Sequence, residues 1–303
     1  MDINSLRKMR TTDFSKIANE FEKVANPNQG YSDDRLWKPE RDKAGNASAT
    51  IRFLPKTDGD ELPWVKIFSH GFQGPSGRWY IENSLTTLGE ADPVSDLNSK
   101  LWNSTTDDNS PERKQARDQK RRLNYISNVL IIDDPKHPEN NGQVKLFKYG
   151  KKIFDKIMDK AKPTFEDEEP VNVFDYWEGA NFKLRMKQVE GYPNYDSSAF
   201  SEPAPIADSD EDILEIANKQ HKLSEFLDKK NFKSYDELKR KLEMVLNGEE
   251  TSGLSASEMA EKEFIPVKEA KSAPVKSAPK IPEVTDVEDD DVMSFFEKIA
   301  TED

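Results

Sequence analysis

The segment Phe182-Lys183-Leu184-Arg185-Met186-Lys187-Gln188-Val189 alternates apolar and polar side chains. A period of two marks a strand with one face buried and the other in water. This segment is one of several. Ala49-Thr50-Ile51-Arg52-Phe53-Leu54, Trp64-Val65-Lys66-Ile67-Phe68, Arg78-Trp79-Tyr80-Ile81 and the strongly apolar run Tyr125 to Ile132 are all short and β-like, with turn residues between them. From about Tyr31 to Tyr195 such a string predicts a small β-barrel or sandwich. Helical inserts interrupt it: a charged helix or loop over 111–122, and Lys152 to Met158 with apolar residues at helical spacing. From Asp212 to Leu246 the pattern turns helical. Ser234 and Glu237 form a capping box there, and Asn247-Gly248 ends it.

The ends read differently from the middle. Residues 1–29 carry a broken apolar helical stripe (Ile3, Leu6, Met9, Phe14, Ile17, Phe21, Val24), closed by Asn26-Pro27-Asn28-Gln29-Gly30. Residues 30–248 form the core, and 249–280 are a Ser/Ala/Lys/Pro linker. Residues 281–303 are an acidic tail holding Val292, Met293, Phe295, Phe296 and Ile299, the pattern of a short helix that folds against partners. The expected class is therefore mainly β with helical inserts (α+β), flanked by a helical arm and a disordered acidic tail.

Charge matters here only by location. The net charge is -13, but nine acids against Lys298 place -8 of it between Glu283 and Asp303. Arg113 to Arg122 holds six bases against Asp118, and Lys145 to Lys162 holds seven against Asp155 and Asp159. A binding groove responds to local potential. With no cysteine and three histidines, disulfides and thiolate zinc sites are excluded. No apolar window spans a membrane, and no apolar signal core follows the N-terminus.

The cations are interleaved with aromatics. Lys120, Arg121 and Arg122 precede Tyr125; Phe147-Lys148-Tyr149 precedes Lys151 and Lys152; Lys183, Arg185 and Lys187 share the polar face of the alternating strand, which runs on to Tyr192 and Tyr195; Trp79 and Tyr80 complete the set. Cations for a phosphate backbone and ring faces for bases are what sequence-independent binding of a single strand requires. Trp177 and Phe182 read as core, and His70 and His137 as structural or loop residues. Two rivals stand beside this reading. Asp133-Asp134 with His137 and Glu139 could ligate magnesium in a nuclease, although Asp-Asp-Pro is the ordinary chemistry of a strand-to-turn exit. Alternatively, the acidic tail makes the chain an interaction hub.

Several segments, in order, resemble the single-stranded DNA-binding (helix-destabilising) proteins of T-even-type phages. They are Asp42-Lys43-Ala44-Gly45-Asn46 with Ile51-Arg52-Phe53-Leu54-Pro55, His70-Gly71-Phe72 with Trp79-Tyr80-Ile81-Glu82, Asp134-Pro135 with Pro138-Glu139-Asn140, and Gly150-Lys151-Lys152-Ile153. Trp177-Glu178-Gly179-Ala180-Asn181-Phe182, Gly191-Tyr192 with Asn194-Tyr195-Asp196, and Phe232-Lys233-Ser234-Tyr235-Asp236-Glu237-Leu238 follow. The resemblance covers roughly residues 1–247, and in the tail it is one of character only. It implies an OB-fold core that binds single-stranded DNA and is not an enzyme. It also implies a basic arm for cooperative self-association, where Arg7, Lys8 and Arg10 with Thr11 and Thr12 match the family's basic-then-hydroxyl motif. An acidic tail (Asp289, Asp290, Asp291, Phe295, Phe296) would recruit replication and recombination proteins: polymerase, helicase loader and recombination mediator. The setting implied is the cytoplasm of an infected bacterial host, in DNA replication, recombination and repair, with the protein's own mRNA left open as a target. Tyr125, Tyr192 and Tyr195 match DNA-contacting positions, Phe147 stands for a tyrosine, and Ala91 occupies an aromatic position. The core copy of the basic motif keeps Lys120-Arg121-Arg122 but has Leu123-Asn124 where the family has Thr-Ser. The family's zinc site uses one His and three Cys. Here His70 remains, with Asn83, about Asp92 and Ser95 at the Cys positions. The expectation is a protein without zinc or other cofactor, its 83–97 loop held by Leu85, Leu88, Val94 and Leu97.

Overall fold

A computed structural model describes residues 33–165, 167–189 and 192–247. Among the described residues there are nine strands: β1 (Leu36–Trp37), β2 (Ala47–Phe53), β3 (Val65–Gln73), β4 (Trp79–Asn83), β5 (Arg122–Asp133), β6 (Val144–Gly150), β7 (Ala180–Val189), β8 (Tyr192–Asn194) and β9 (Ala199–Pro203). The helices are α1 (Pro93–Asn103), α2 (Pro111–Asp118), α3 (Lys151–Ala161), α4 (Asp210–Asn218) and α5 (Tyr235–Asn247). The strands run β1-β6-β5-β2-β7-β8 along one path; β3 pairs β5 and β4, and β9 pairs β7. β1 lies parallel to β6, while β2, β5, β6 and β7 pair antiparallel. This is a mixed sheet with helices, an α+β arrangement. No helix among the described residues is long and apolar enough to cross a membrane.

The described residues pack as two compact units, 33–69 with 123–232 and 70–122 with 233–247. The first owes its core to strand parity. Across β2 and β7, Ile51 faces Phe182, Ala49 faces Leu184 and Ala47 faces Met186, all inward; Thr50–Lys183 and Ser48–Arg185 are the outward pairs. At the centre Phe53 meets Tyr149, Phe174 and Phe182 with ring centroids 5.5, 5.7 and 5.9 Å away. Truncating such a ring to alanine costs about 3–5 kcal/mol. Arg52 has the opposite parity and is nevertheless buried. Its guanidinium donates to the carbonyls of Ala204 (2.7 Å) and Asp175 (3.1 Å) and to Asn181 Oδ1 (3.3 Å). Gly179 makes room for it: a Cβ there would lie 2.3 Å from Asp175 O and 2.9 Å from the guanidinium.

The helical stretch expected over 212–246, with its capping box at Ser234 and Glu237, forms as two α-helices, α4 and α5. Between α4 and α5 the chain makes two short 3-10 turns, Leu223–Leu227 and Lys229–Asn231. Tertiary bonds outbid helix continuation at this point: Gln220 Nε2 donates to Pro55 O at 2.7 Å, and His221 N to Asn128 Oδ1 at 2.9 Å. Buried Asp60 then accepts Leu223 N and Ser224 N at 3.0 and 2.9 Å, tying the turn down.

In the second unit, β3 and β4 join through a turn closed by Gly77 N on Gly74 O at 2.9 Å, with Gly77 at φ 79°. The end of α5 comes so close that a Cβ on Gly74 would sit 2.1 Å from Val245 O. At the other end of α5 the capping box forms: Glu237 Oε2 accepts Ser234 N at 2.8 Å while Ser234 Oγ accepts Glu237 N at 3.4 Å. Glu82 of β4 pairs with Lys233 (2.9 Å) and with Lys241, and the Tyr235 hydroxyl donates to Asp96 at 2.9 Å. The 83–97 stretch, expected as a loop, is a 3-10 turn (Leu85–Leu88) followed by the first turn of α1. The arm, the linker and the tail lie outside the described residues.

Candidate nucleic-acid interface

In the second unit, β3, β4 and the segment leaving α2 enclose a groove of about 560 Å³. Its lining is Gly71, Phe72, Gln73, Trp79, Arg117, Asp118, Lys120, Arg121 and Arg122. Local chemistry explains the run of cations. Ser110 caps α2 by accepting Arg113 N at 3.2 Å, with Pro111 in the first turn where its missing N–H is not needed. The helix stops at Gln119, which is buried, and Lys120-Arg121-Arg122 then run exposed into β5. Arg113, upstream, stays out of the groove: its guanidinium lies 4.4 Å from the Trp102 ring centroid and pairs with Asp108. Four cations therefore face one carboxylate, Asp118. Trp79 offers the ring face, 57% exposed.

Tyr80, the next residue, points the other way because a strand alternates. Its ring stacks on Phe72 (5.1 Å, 12°), and its hydroxyl is buried without a hydrogen-bond partner. Burial pushes that phenol well above the usual range. As placed, Tyr80 is a core residue of this unit.

The first unit carries a second basic surface. Lys183, Arg185 and Lys187 are exposed on the outward face of β7, about 6.6 Å apart along the strand. Val189 pairs with Tyr192 at the β7–β8 turn, and Tyr192 is 76% exposed. Tyr195 is half-buried just beyond. Arg185 and Lys187 also line a cleft of about 440 Å³ with Lys136, Ser48, Glu40 and Asp42. The cleft is mixed in sign. Asp42 spends its carboxylate on the Asn46 and Ala44 amides at 2.9 and 2.8 Å, which hold it below the usual carboxylate range. Lys148, Lys151 and Lys152 are exposed, Lys151 pairing with Asp155 one helical turn on.

Tyr125, Phe147 and Tyr149 lie inside. In the β5–β6 register Tyr125 faces Tyr149 and Ser127 faces Phe147, all on the inward side. Tyr125 stacks on Phe154 at 3.9 Å and 2°, and Tyr149 shares a hydrogen bond with Ser127 Oγ at 2.9 Å. Their ring faces are occupied, so a base cannot stack on them as they stand. Conversely, Trp177, read as core, is 53% exposed, its Nε1 donating to Asp210 at 3.4 Å. Arg117 is the groove residue that sequence reasoning did not single out, although it belongs to the same basic run. Arg7, Lys8, Arg10, Thr11 and Thr12, and Asp289, Asp290, Asp291, Phe295 and Phe296, lie outside the described residues.

The magnesium constellation does not assemble. Asp134 is buried, accepting Trp37 Nε1 (2.8 Å), Asn140 Nδ2 (3.0 Å) and His137 N (3.2 Å), so its oxygens are committed to the turn. His137 instead bridges Glu40 and Glu139 at 2.7 and 2.9 Å, which raise its imidazole above the usual range. Among the described residues, no three His, Asp or Glu side chains are grouped so that they could hold a metal ion. The zinc positions fare likewise: the donors beside His70 are an amide, a hydroxyl and a carboxylate already bonded to backbone amides, which is no closed tetrahedral set.

Residues 45–246 match the family described as gp32 DNA binding protein like. A single-stranded DNA-binding protein of Enterobacteria phage T2 is 37% identical over 252 residues, covering 80% of this chain and 81% of the relative. That of Enterobacteria phage T4 is 38% identical over 241 residues, 77% of each chain. A shorter relative with the same description, from Escherichia phage SV14, is 39% identical over 90 residues, 28% of this chain.

Proposed function

The chain belongs to the gp32 DNA binding protein like family, and we propose from that premise that it binds single-stranded DNA without regard to sequence. It is a binding protein, not an enzyme. The observation that carries the reading is the groove in which exposed Trp79 stands beside Arg117, Lys120, Arg121 and Arg122. The cations take the phosphates, and each contact contributes a salt slope of about -0.7. The indole takes a base face, worth about 1–3 kcal/mol whatever the base. Lys183, Arg185, Lys187 and Tyr192 repeat the same pairing on β7 and β8.

The wider reading follows the resemblance. The sheet acts as an OB-type core, and the arm with Arg7, Lys8 and Arg10 carries cooperative self-association along the strand. The acidic tail recruits replication and recombination proteins in an infected bacterial cell. The test is a fluorescence titration of the full chain with long single-stranded DNA and with duplex at two salt concentrations. The expected result is quenching by the single strand alone, with a cooperative, salt-sensitive isotherm. Equal weak binding to both forms would reject the reading and leave the tail as the functional end.

A further inference from the structure

The side chain of Asp92 is fully buried and makes contacts in four directions. Its Oδ1 accepts Val94 N and Ser95 N, both at 3.0 Å, and so caps α1; its Oδ2 accepts Leu85 N at 3.1 Å, fastening the 3-10 turn. The same Oδ1 lies 3.2 Å from His70 Nε2, within ion-pair range though off the hydrogen-bond direction. On the far side of the ring, His70 Nδ1 donates to Gln119 O at 2.9 Å. All of these groups lie in the second unit.

One chain of contacts thus runs from the 84–95 segment through His70 to the peptide that precedes Lys120. It ends beside groove residues at both points, since Gly71 follows His70 and Lys120 follows Gln119. A zinc ion would need four donors here, and the residues present do not supply them. A carboxylate that caps one helix, anchors one turn and faces one imidazole can tie the same segments together without a metal.

We propose that the Asp92–His70 pair is a metal-free positioning device, taking the place of the family's zinc and setting where the Lys120–Arg122 segment stands in the groove. Its DNA half rests on the functional reading above; its zinc half does not. In this protein the pair acts through the Gln119 carbonyl and never touches the strand.

The experiment uses the full chain. Exhaustive chelation should leave both the melting temperature and the affinity for single-stranded DNA unchanged; a fall in either overturns the zinc half. Asp92→Asn keeps the shape and an acceptor oxygen but loses the charge facing His70, and His70→Gln gives up the Gln119 bond while its amide still reaches toward Asp92. Well below their melting temperatures, each should lose about one phosphate contact. That is about five-fold in affinity at 0.1 M salt, with a slope shallower by about 0.7. Ser209→Ala, which uncaps α4 in the other unit, should lower stability but leave the slope alone. If Asp92→Asn does not fold, His70→Gln decides. Variants that melt earlier yet keep wild-type affinity and slope would show a purely structural joint and overturn the DNA half. A wild-type protein that ignores single strands would overturn the functional reading and the DNA half with it, while chelation would still judge the zinc half.

Discussion

Neutralising Arg121 and Arg122 together, as Arg121→Gln with Arg122→Gln, should change the salt dependence of binding before it changes anything else. Both side chains are exposed on the groove wall, and a melting temperature taken beside each titration separates a loss of fold from a loss of phosphate contacts. If each contacts one phosphate, the slope of log affinity against log salt becomes shallower by about 1.4. The consequence is a deficit that depends on conditions. Relative to wild type, the variant should bind about 65-fold more weakly at 0.05 M salt and only about 2.6-fold more weakly at 0.5 M. Titrating intrinsic fluorescence with a single-stranded oligonucleotide at four salt concentrations in that range would give both lines. Lys120 and Arg117 remain in the variant, so it should still bind. Parallel lines would refute the argument, because a loss that ignores salt cannot come from counterion release.

The remaining predictions separate ring faces from core. Trp79→Ala should lose about 1–3 kcal/mol, roughly 5- to 150-fold, at every salt concentration, together with part of the fluorescence quenching; a loss that vanishes at high salt would speak against stacking. Tyr80→Phe removes a buried hydroxyl that has no partner, so stability should stay level or rise by up to about 1 kcal/mol, with DNA affinity unchanged. Reduced affinity in that variant would return Tyr80 to the site. Asp60 governs part of the acid limb of the stability curve. Burial opposes its charge, but bonds from Thr57 and the Leu223 and Ser224 amides outweigh that and hold its carboxyl below the ordinary value of 3.8. Its stabilisation is therefore present above about pH 4 and is lost as the pH falls through the lowered value. Asp60→Asn should flatten the acid limb of a melting-temperature profile, and an unchanged limb would assign the acid sensitivity elsewhere.

How much was legible follows from which rule each residue obeyed. β7 was read from parity alone, and parity also placed Lys183, Arg185 and Lys187 in solvent. Val144-Lys145-Leu146-Phe147-Lys148-Tyr149 puts two apolar residues and one lysine on each face, and both faces are buried from Val144 to Tyr149 apart from the lysines, so parity could not tell whether Phe147 and Tyr149 turn inward. Tyr125 could not be sorted that way, since β5 is buried on both faces from Tyr125 to Ile131 and its alternation is erased. The start of α1 was written in Asp92-Pro93, an N-cap followed by a first-turn proline. Leu85 and Val94 pack as expected in that stretch, but no apolar pattern could show that Asp92 would meet His70 from 22 positions away. The capping box at Ser234 and Glu237 marked where α5 begins, but the end of α4 was not legible, because it depends on Pro55 and Asn128, distant in the chain.

Burial of those rings bears on how the chain holds a strand. Of the aromatics expected to stack, Trp79 and Tyr192 present open faces and Tyr195 a partial one, while Tyr80, Tyr125, Phe147 and Tyr149 are spent on the core. The cations behave otherwise: Lys120, Arg121, Arg122, Lys183, Arg185 and Lys187 are all exposed. Stacking is nearly indifferent to salt, whereas each phosphate contact is not. A surface with few ring faces and many cations should therefore draw most of its affinity from counterion release. The overall acidity of the chain does not oppose this, because the groove's four cations answer to the potential at the groove, within a Debye length of about 10 Å at 0.1 M. The ratio of the two contributions is measurable as the affinity left at 1 M salt, where the stacking share stands almost alone.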